Sequence, residues 1–298
     1  MDDLDFSKPA PQKPAAPAAP AAPAAQPGQV YNVAQAMEFF RTSGKAESFA
    51  PGATIFAEDE KAGMLSLKRD KMYLLVTGEV AMQVQGKTIG TVKVGEVFGE
   101  MAAIARAART ATAVATSACT VIGMDDKQFQ SALQQKPEFA LSMMGVLNAR
   151  VRATIQRLQA SRTLHAGEAK ENEVFDRKVL ASLVQTLGDK AKTSYVAGKS
   201  IMQEGSVGNV MYIVLEGRVT IAIKGGVVGR VGTGGVFGEM ALVDQSPRTA
   251  NALAETDCTL LAINREAFLY LVKTSPVFGS SLLAGIAARA KDLADRGK

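Results

Sequence analysis

One carboxylate and one guanidinium recur at the same spacing in two glycine-containing stretches of this sequence. The stretch FGEMALVDQSPRTA places Glu239 nine residues before Arg248. The stretch FGEMAAIARAARTA places Glu100 and Arg109 at the same separation. An arginine binds phosphate oxygens with two donors at once, and a carboxylate accepts a hydrogen bond from a sugar hydroxyl. The pattern therefore predicts a ligand with an anionic phosphate at one end of a ribose.

The backbone around these residues fits the same ligand. Gly238 follows a glycine-rich turn, and a short helix is predicted to begin near Glu239. Glycine lets the backbone approach a ligand with no Cβ in the way, and the first turn of a helix offers unpaired N–H groups to an anion. Because Glu239 would repel a phosphate, we expect it to face a ribose hydroxyl instead.

The chain carries the same unit twice. A shift of 139 residues aligns Cys119 with Cys258 and Arg150 with Arg289, in addition to the two stretches above. Upstream the shift grows to 146, so the first copy contains seven extra residues within 59–70. Matches held at one offset over this distance indicate a duplicated domain.

Each copy is predicted to be a β domain flanked by helices. The stretches MYLLVTGEVAMQV and MYIVLEGRVTIAI both contain a buried-type run, a glycine-centred turn and then alternating apolar residues. Tight turns are predicted at Gln85-Gly86 and at Gly225-Gly226. Many short strands with glycine turns predict a mainly β fold with flanking helices, made of two tandem jelly-roll (double-stranded β-helix) barrels.

Helical spacing of apolar residues predicts a helix before each copy, and a stripe that includes Met144, Leu147 and Val151 predicts another between them. This stripe favours packing onto the chain's own barrel over a dimer seam. The expected regions are a disordered Pro/Ala-rich tail over 1–29, a first domain with its closing helix over 30–162, a connector over 163–173, and a second domain with its C-terminal helix over 174–298. The closing helices are expected at about 138–162 and 277–296.

Composition excludes several classes of protein. The 298 residues carry a formal charge of +5 that is spread along the chain, which does not require a nucleic-acid partner. No run approaches the ~18 apolar residues of a membrane span, and the start of the chain lacks the apolar segment of a secretory signal. The two cysteines occupy equivalent core-like positions, which indicates a reducing, cytoplasmic setting. We expect neither a nucleic-acid nor a membrane partner.

The sequence shows no recognisable set of catalytic residues. The only histidine, His165, falls in the connector, whereas metal-dependent barrels need two or three histidines, or two with a carboxylate. There is no Ser/His or Cys/His pair and no Walker-type loop. We therefore expect no catalytic residues, no metal site and no cofactor.

The second stretch, FGEMALVDQSPRTA, resembles the phosphate-binding cassette of cyclic nucleotide-binding domains, whose pattern is F-G-E-aliphatic-A-L, a short loop and P-R-(A/T/S)-A. The tandem arrangement is similar to that of regulatory subunits of cyclic-AMP-dependent protein kinase, although no adjacent arginines of an inhibitor segment precede Val30. The first copy departs from the pattern, since Ala108 replaces the proline, Ala103 replaces the leucine and Asp59 stands where the second copy has Gly205.

The resemblance implies a role for each of these residues. Glu239 would accept the ribose 2′-OH, Arg248 would pair with the cyclic phosphate, and backbone amides would complete the phosphate site. Glu100 and Arg109 take the same roles in the first copy. The implied ligand-binding residues are Gly99, Glu100, Met101, Ala102, Arg109 and Thr110 in the first copy, and Gly238, Glu239, Met240, Ala241, Arg248 and Thr249 in the second.

The expected function is that of a cytoplasmic cyclic nucleotide receptor, for cyclic AMP or cyclic GMP, that changes conformation to regulate a protein partner. Thr110 and Thr249 leave the choice between cyclic AMP and cyclic GMP open. The alternatives are an interaction scaffold that needs no nucleotide and a sensor of cyclic di-GMP on the same fold. The sequence also leaves open a homodimer through the closing helices.

Overall fold

The computed structural model describes residues 31–60, 70–105, 107–160, 173–244 and 247–295. The Pro/Ala-rich tail, most of the segment with the seven extra residues, and His165 lie outside the described residues.

The first copy forms two four-stranded antiparallel sheets, with strand orders β1-β8-β3-β6 and β2-β7-β4-β5. Its elements are α1 (Val33–Ser43), β1 (Lys45–Phe49), β2 (Thr54–Phe56), β3 (Lys71–Thr77), β4 (Val80–Val84), β5 (Lys87–Val92), β6 (Val97–Phe98), α2 (Glu100–Ala105), β7 (Thr112–Ala115), β8 (Cys119–Asp125), α3 (Asp126–Gln135) and α4 (Glu138–Ala160).

The second copy repeats this architecture, with strand orders β9-β16-β11-β14 and β10-β15-β12-β13. Its elements are α5 (Arg177–Leu187), a 3-10 turn (Asp189–Ala191), β9 (Lys192–Tyr195), β10 (Ser200–Met202), β11 (Val210–Glu216), β12 (Val219–Ile223), β13 (Gly226–Val231), β14 (Val236–Phe237), α6 (Met240–Asp244), β15 (Asn251–Ala254), β16 (Cys258–Asn264), α7 (Arg265–Thr274) and α8 (Pro276–Asp295). The prediction of two tandem barrels with flanking helices is confirmed.

One predicted turn is shifted by a residue. The hairpin between β12 and β13 turns at Lys224-Gly225, with φ values of 50° and 82°, and β13 already begins at Gly226. The first copy turns at Gln85-Gly86 with φ values of 48° and 75°, as predicted. Both positions of this tight hairpin turn need positive φ, and sequence reasoning preferred a second glycine to a lysine there.

Each barrel has its own apolar core, and each free cysteine lies in it at an equivalent position. Cys119 belongs to the core of the first barrel and Cys258 to that of the second. Burial raises the pKa of both thiols. The sequence-based expectation that these cysteines are small core residues is confirmed.

A third core, built from helices of both copies and from the strand residues that face them, joins the two barrels. We call it the helical core, and its buried members include Phe39, Phe139, Met144, Leu147 and Val151 on the first copy's helices. From the second copy it contains, among others, Phe175, Phe268, Phe278, Leu282 and Ile286. The rings of Phe39 and Phe139 stack with centroids 3.9 Å apart, and those of Phe175 and Phe278 stack at 5.5 Å. The two copies therefore fold around one shared apolar interior.

The helices cross between the copies. The long helix α4 packs along α8, and it also packs against α6, the short helix of the second copy. In the same way, α8 packs against α2, the short helix of the first copy. The predicted apolar stripe on α4 is thus largely used inside the chain, against elements of the other copy.

Within the described residues, no single helix has both the length and the apolar composition that crossing a bilayer requires. The helices α7 and α8 meet that requirement only as a pair, and they are bent by 113° at the break between them.

Candidate ligand-binding sites in the two barrels

The turn that leads into each short helix depends on a glycine. Gly99 has a φ of 71° and Gly238 a φ of 78°, which L side chains rarely adopt. A Cβ added to Gly99 would lie 2.9 Å from Arg109 Nη1, and one added to Gly238 would lie 2.8 Å from Arg248 Nη1. Each glycine therefore permits both the turn and the close approach of the arginine.

Arg109 is buried in the first barrel, with 4% of its surface exposed. Its Nη1 donates to the carbonyl oxygen of Gly99 at 2.7 Å, and its Nη2 donates to that of Lys71 at 2.8 Å. These two bonds hold the guanidinium between the strand β3 and the turn before α2.

Arg248 makes the same two bonds in the second barrel. Its Nη1 donates to the carbonyl oxygen of Gly238 at 2.8 Å, and its Nη2 donates to that of Val210 at 2.7 Å. Gly238 and Val210 are the repeat equivalents of Gly99 and Lys71. The two copies thus hold their arginines against corresponding backbone atoms, although the neighbouring side chains differ.

The surroundings of the two arginines differ in two side chains. The Nη2 of Arg109 lies 3.5 Å from Asp70 Oδ1, and its Cζ lies 4.2 Å above the ring centroid of Phe56. In the second copy, Asn209 occupies the position of Asp70 and Met202 that of Phe56. The first arginine therefore has an acidic neighbour and an aromatic ring that the second lacks at these positions.

Burial lowers the pKa of both arginines from their ordinary value. Asp70, followed by Tyr73, opposes this effect for Arg109, and Tyr212 and Glu239 oppose it for Arg248. Arginine still carries its charge at neutral pH. A buried cation whose desolvation is only partly compensated gains from an anionic ligand.

Both predicted carboxylates are buried at the start of the short helices. Glu100, the first residue of α2, has 0% of its surface exposed, and Glu239, just before α6, has 2%. Glu239 Oε1 accepts a hydrogen bond from Arg289 Nη1 at 2.9 Å, while Arg289 Nη2 donates to the carbonyl oxygen of Val236 at 2.9 Å. The ion pair of Glu239 therefore runs to Arg289 of α8.

Arg289 is the residue that sequence reasoning missed. The repeat alignment had paired it with Arg150, so the signal was an arginine kept at the same place in both copies. Its partner could not be read from spacing, because Glu239 lies fifty residues earlier and the contact depends on how α8 packs.

A cavity of about 290 Å³ opens beside the first short helix. All six residues implied for the first site line it: Gly99, Glu100, Met101, Ala102, Arg109 and Thr110. Apolar side chains that include Phe56, Met82 and Ile89 complete the wall. The cavity thus combines a buried cation and a buried carboxylate with an apolar surface, which suits a ligand with an anionic group, a sugar and a flat base.

The residues implied for the second site come together around α6. Gly238 and Glu239 precede the helix, Met240 and Ala241 open it, and Arg248 reaches back to Gly238. The hydroxyl of Thr249 is exposed and lies 3.4 Å from Met240 Sδ. This side chain is free to turn towards a ligand because it has only a weak acceptor here.

A family model described as "Cyclic nucleotide-binding domain" matches the chain twice, over residues 46–136 and 192–275. Together the two matches cover more than half of the chain, and they contain every residue implied for the two sites. Both matched segments are binding domains, and no catalytic domain is identified in them.

The curated relatives of this chain are distant. The chain is 28% identical over 207 residues to a cAMP-dependent protein kinase regulatory subunit of Yarrowia lipolytica. This alignment covers 68% of this chain and 49% of the relative. It is 26% identical over 241 residues to a cGMP-dependent protein kinase of Eimeria tenella, covering 80% of this chain and 20% of the relative. The chain thus spans half or less of the length of these relatives.

Among solved structures, the regulatory domain of Toxoplasma gondii PKA with cAMP is similar at 18% identity. The alignment covers 86% of this chain and 96% of that one, with a TM-score of 0.30.

Proposed function

Because the chain belongs to the cyclic nucleotide-binding domain family, we propose that it is a receptor for cyclic AMP or cyclic GMP that regulates a protein partner through a change of conformation. The observation that carries this proposal is the pairing, in each barrel, of one buried arginine with one buried glutamate around a glycine of positive φ. The receptor acts by binding and not by catalysis.

In this proposal, the arginines recognise the cyclic phosphate. Arg109 and Arg248 are held by corresponding pairs of backbone carbonyls, so both guanidinium groups already lie between the strand and the turn when the ligand arrives. Neither guanidinium is fully compensated by a carboxylate in contact: Asp70 is 3.5 Å from Arg109, and Glu239 is paired with Arg289. An incoming phosphate supplies the missing negative charge.

The glutamates recognise the ribose. A buried carboxylate accepts a hydrogen bond from the 2′-OH and repels a second phosphate, which favours a cyclic mononucleotide over a nucleotide phosphorylated at that position. In the second site, Arg289 holds the carboxylate of Glu239 in place from the far side. The base then lies against the apolar wall, which in the first site includes Met82 and Ile89.

The change of conformation passes through α8 and α4. Arg289 ties the ribose carboxylate of the second site to α8, and α8 packs on α2 of the first site and along α4. A ligand whose hydroxyl donates to Glu239 changes the energy of the contact between Glu239 and Arg289. It thereby shifts the populations of two positions of α8, by no more than its difference in affinity for the two. The helices thereby offer a partner surface that depends on the ligand.

We further propose a reducing, cytoplasmic setting, which is supported by the two buried thiols being free.

Calorimetric titration of the whole chain with cyclic AMP, cyclic GMP and cyclic di-GMP, beside Arg109→Ala and Arg248→Ala, tests the proposal. Removing one member of a buried charged contact costs about 2–5 kcal/mol, so each variant is expected to lose one site by about 30-fold or more. If only cyclic di-GMP gives a heat of binding, the ligand is a cyclic dinucleotide and not cyclic AMP or cyclic GMP. No heat with any of the three nucleotides would contradict it and favour an interaction scaffold.

A further inference from the structure

The central carbon of the Arg109 guanidinium lies over the face of an aromatic ring. Its Cζ is 4.2 Å from the ring centroid of Phe56, a residue with 6% of its surface exposed. The Phe56 ring is itself held in place, since it stacks on Tyr73 and on Phe98 with centroids 6.0 Å away in each case. A cation on the face of a ring is attracted by the negative charge density there, and more strongly when water is absent.

The second barrel provides a natural comparison. Met202 occupies the position of Phe56, and its Sδ lies 3.6 Å from a Cβ built on Gly238, just as the Phe56 ring edge lies 2.9 Å from a Cβ built on Gly99. Arg248 keeps both carbonyl bonds of its counterpart. The ring is therefore not needed to place the guanidinium between the strand and the turn, and its contribution must be a different one.

The contribution is to the third nitrogen of Arg109. One N–H of Nη1 and one of Nη2 donate to carbonyl oxygens, whereas the Nε–H is buried and has no hydrogen-bond acceptor among the described residues. A ring beneath the guanidinium face stops the group from tilting about its carbonyl bonds, and it thereby fixes the direction of the Nε–H. Methionine is flexible and has no flat face, so it cannot do this.

We propose that Phe56 is a positioning residue of the first site, which holds Arg109 with its Nε–H ready for an anionic oxygen of the ligand and so raises the affinity of this site. The inference rests on the proposed function, because the ligand is the cyclic nucleotide named there. It makes the two sites unequal: one arginine has an aromatic ring beneath it, and the other has Met202 at that position.

The test uses the full chain carrying Arg248→Ala, so that only the first site responds, and titrates it with cyclic AMP and with cyclic GMP. Phe56→Met introduces the residue of the second copy and is expected to weaken binding by about threefold to tenfold, the cost of ordering one long side chain on binding. Phe56→Tyr keeps the ring and is expected to bind like the parent. Phe49→Met removes a ring from the same barrel core and is the control.

Two outcomes would overturn the inference: Phe56→Met binding like its parent, or Phe49→Met weakening binding to the same extent. A readout independent of ligand is the NMR signal of Arg109 Hε, which a ring beneath it shifts upfield. The shift should be present in the parent and in Phe49→Met and absent in Phe56→Met; a signal that does not move contradicts the positioning role. If the parent chain binds neither nucleotide, the proposed function is wrong, and so is the claim that Phe56 raises affinity for a nucleotide. The Hε signal would still decide whether Phe56 orients Arg109.

Discussion

Arg289 Nη1 lies 2.9 Å from Glu239 Oε1, and this contact joins the last helix of the chain to the carboxylate that we assign to the ribose. The same arginine donates to the carbonyl oxygen of Val236, so it is anchored to the strand β14 as well. The second site and α8 are thus mechanically connected by one side chain.

Replacing Arg289 by alanine is expected to destabilise the protein. Glu239 keeps only 2% of its surface exposed and would remain buried without its cation. A buried charge left without its partner is costly, and since Arg289 itself is 26% exposed, we expect a loss of about 2 kcal/mol in the free energy of unfolding, measured by urea denaturation.

The control for this experiment is Arg230→Ala, which breaks the exposed ion pair between Arg230 Nε and Glu255 Oε2 at 3.0 Å. Exposed pairs contribute about 1 kcal/mol or less, so this variant should unfold close to the parent. Equal losses for the two variants would show that the burial of Glu239 adds nothing.

Gly238→Ala is expected to impair both folding and binding. Its φ of 78° costs an L residue about 1–2 kcal/mol, and the new methyl group would meet Arg248 Nη1. Gly225→Ala has the same backbone requirement, with a φ of 82°, but no heavy atom lies within 4 Å of its added Cβ. Thermal unfolding should detect a loss in both variants, whereas calorimetry should detect weaker nucleotide binding only for Gly238→Ala. Unchanged binding by that variant would mean that the position of Arg248 is not critical.

Stability should fall in strongly alkaline solution through the buried tyrosines. Burial raises the pKa of Tyr73 from 10.0 to about 12. Below pH 10, folded and unfolded chains both keep the phenol proton; between pH 10 and 12 the unfolded chain releases it first, so stability decreases as pH rises through this window. Urea midpoints across the window should fall less steeply in Tyr73→Phe than in the parent. Tyr270→Phe, at a residue that is 53% exposed, should leave the slope unchanged, and an effect equal to that of Tyr73→Phe would contradict the assignment.

The helical core predicts that the two copies unfold together. Leu147 is fully buried in it, and truncating a leucine in such a site to alanine costs about 2–5 kcal/mol. Differential scanning calorimetry of Leu147→Ala should therefore show one transition that moves as a whole to lower temperature. Two separate transitions, of which only one moves, would show that the copies are independent units.

Sequence reasoning reached the fold and the main site residues because both depend on local patterns that occur twice. Glu100 and Arg109 repeat Glu239 and Arg248 at one spacing, and the strand and turn signals repeat with them. Gly238 was likewise assigned from the sequence to a close backbone approach, whereas its positive φ of 78° is a finding of the structure.

The remaining features depend on how distant elements pack, which no spacing reveals. The contact of Arg289 with Glu239 needs the final position of α8, and the crossing of α8 to α2 needs both copies to be folded. The turn at Lys224-Gly225 was missed for a local reason: lysine seldom adopts a φ of 50°, yet the hairpin tolerates it.

The shared helical core also bears on how this duplicated chain can be divided. A cut between α4 and α5 would give two halves, and each would carry a complete pair of sheets together with one side of the interior that contains Phe139 and Phe278. Each half alone would expose that apolar side to water and would tend to aggregate. Produced together, the halves should find one another and restore the contact, so the chain should be divisible at this point only as a co-expressed pair.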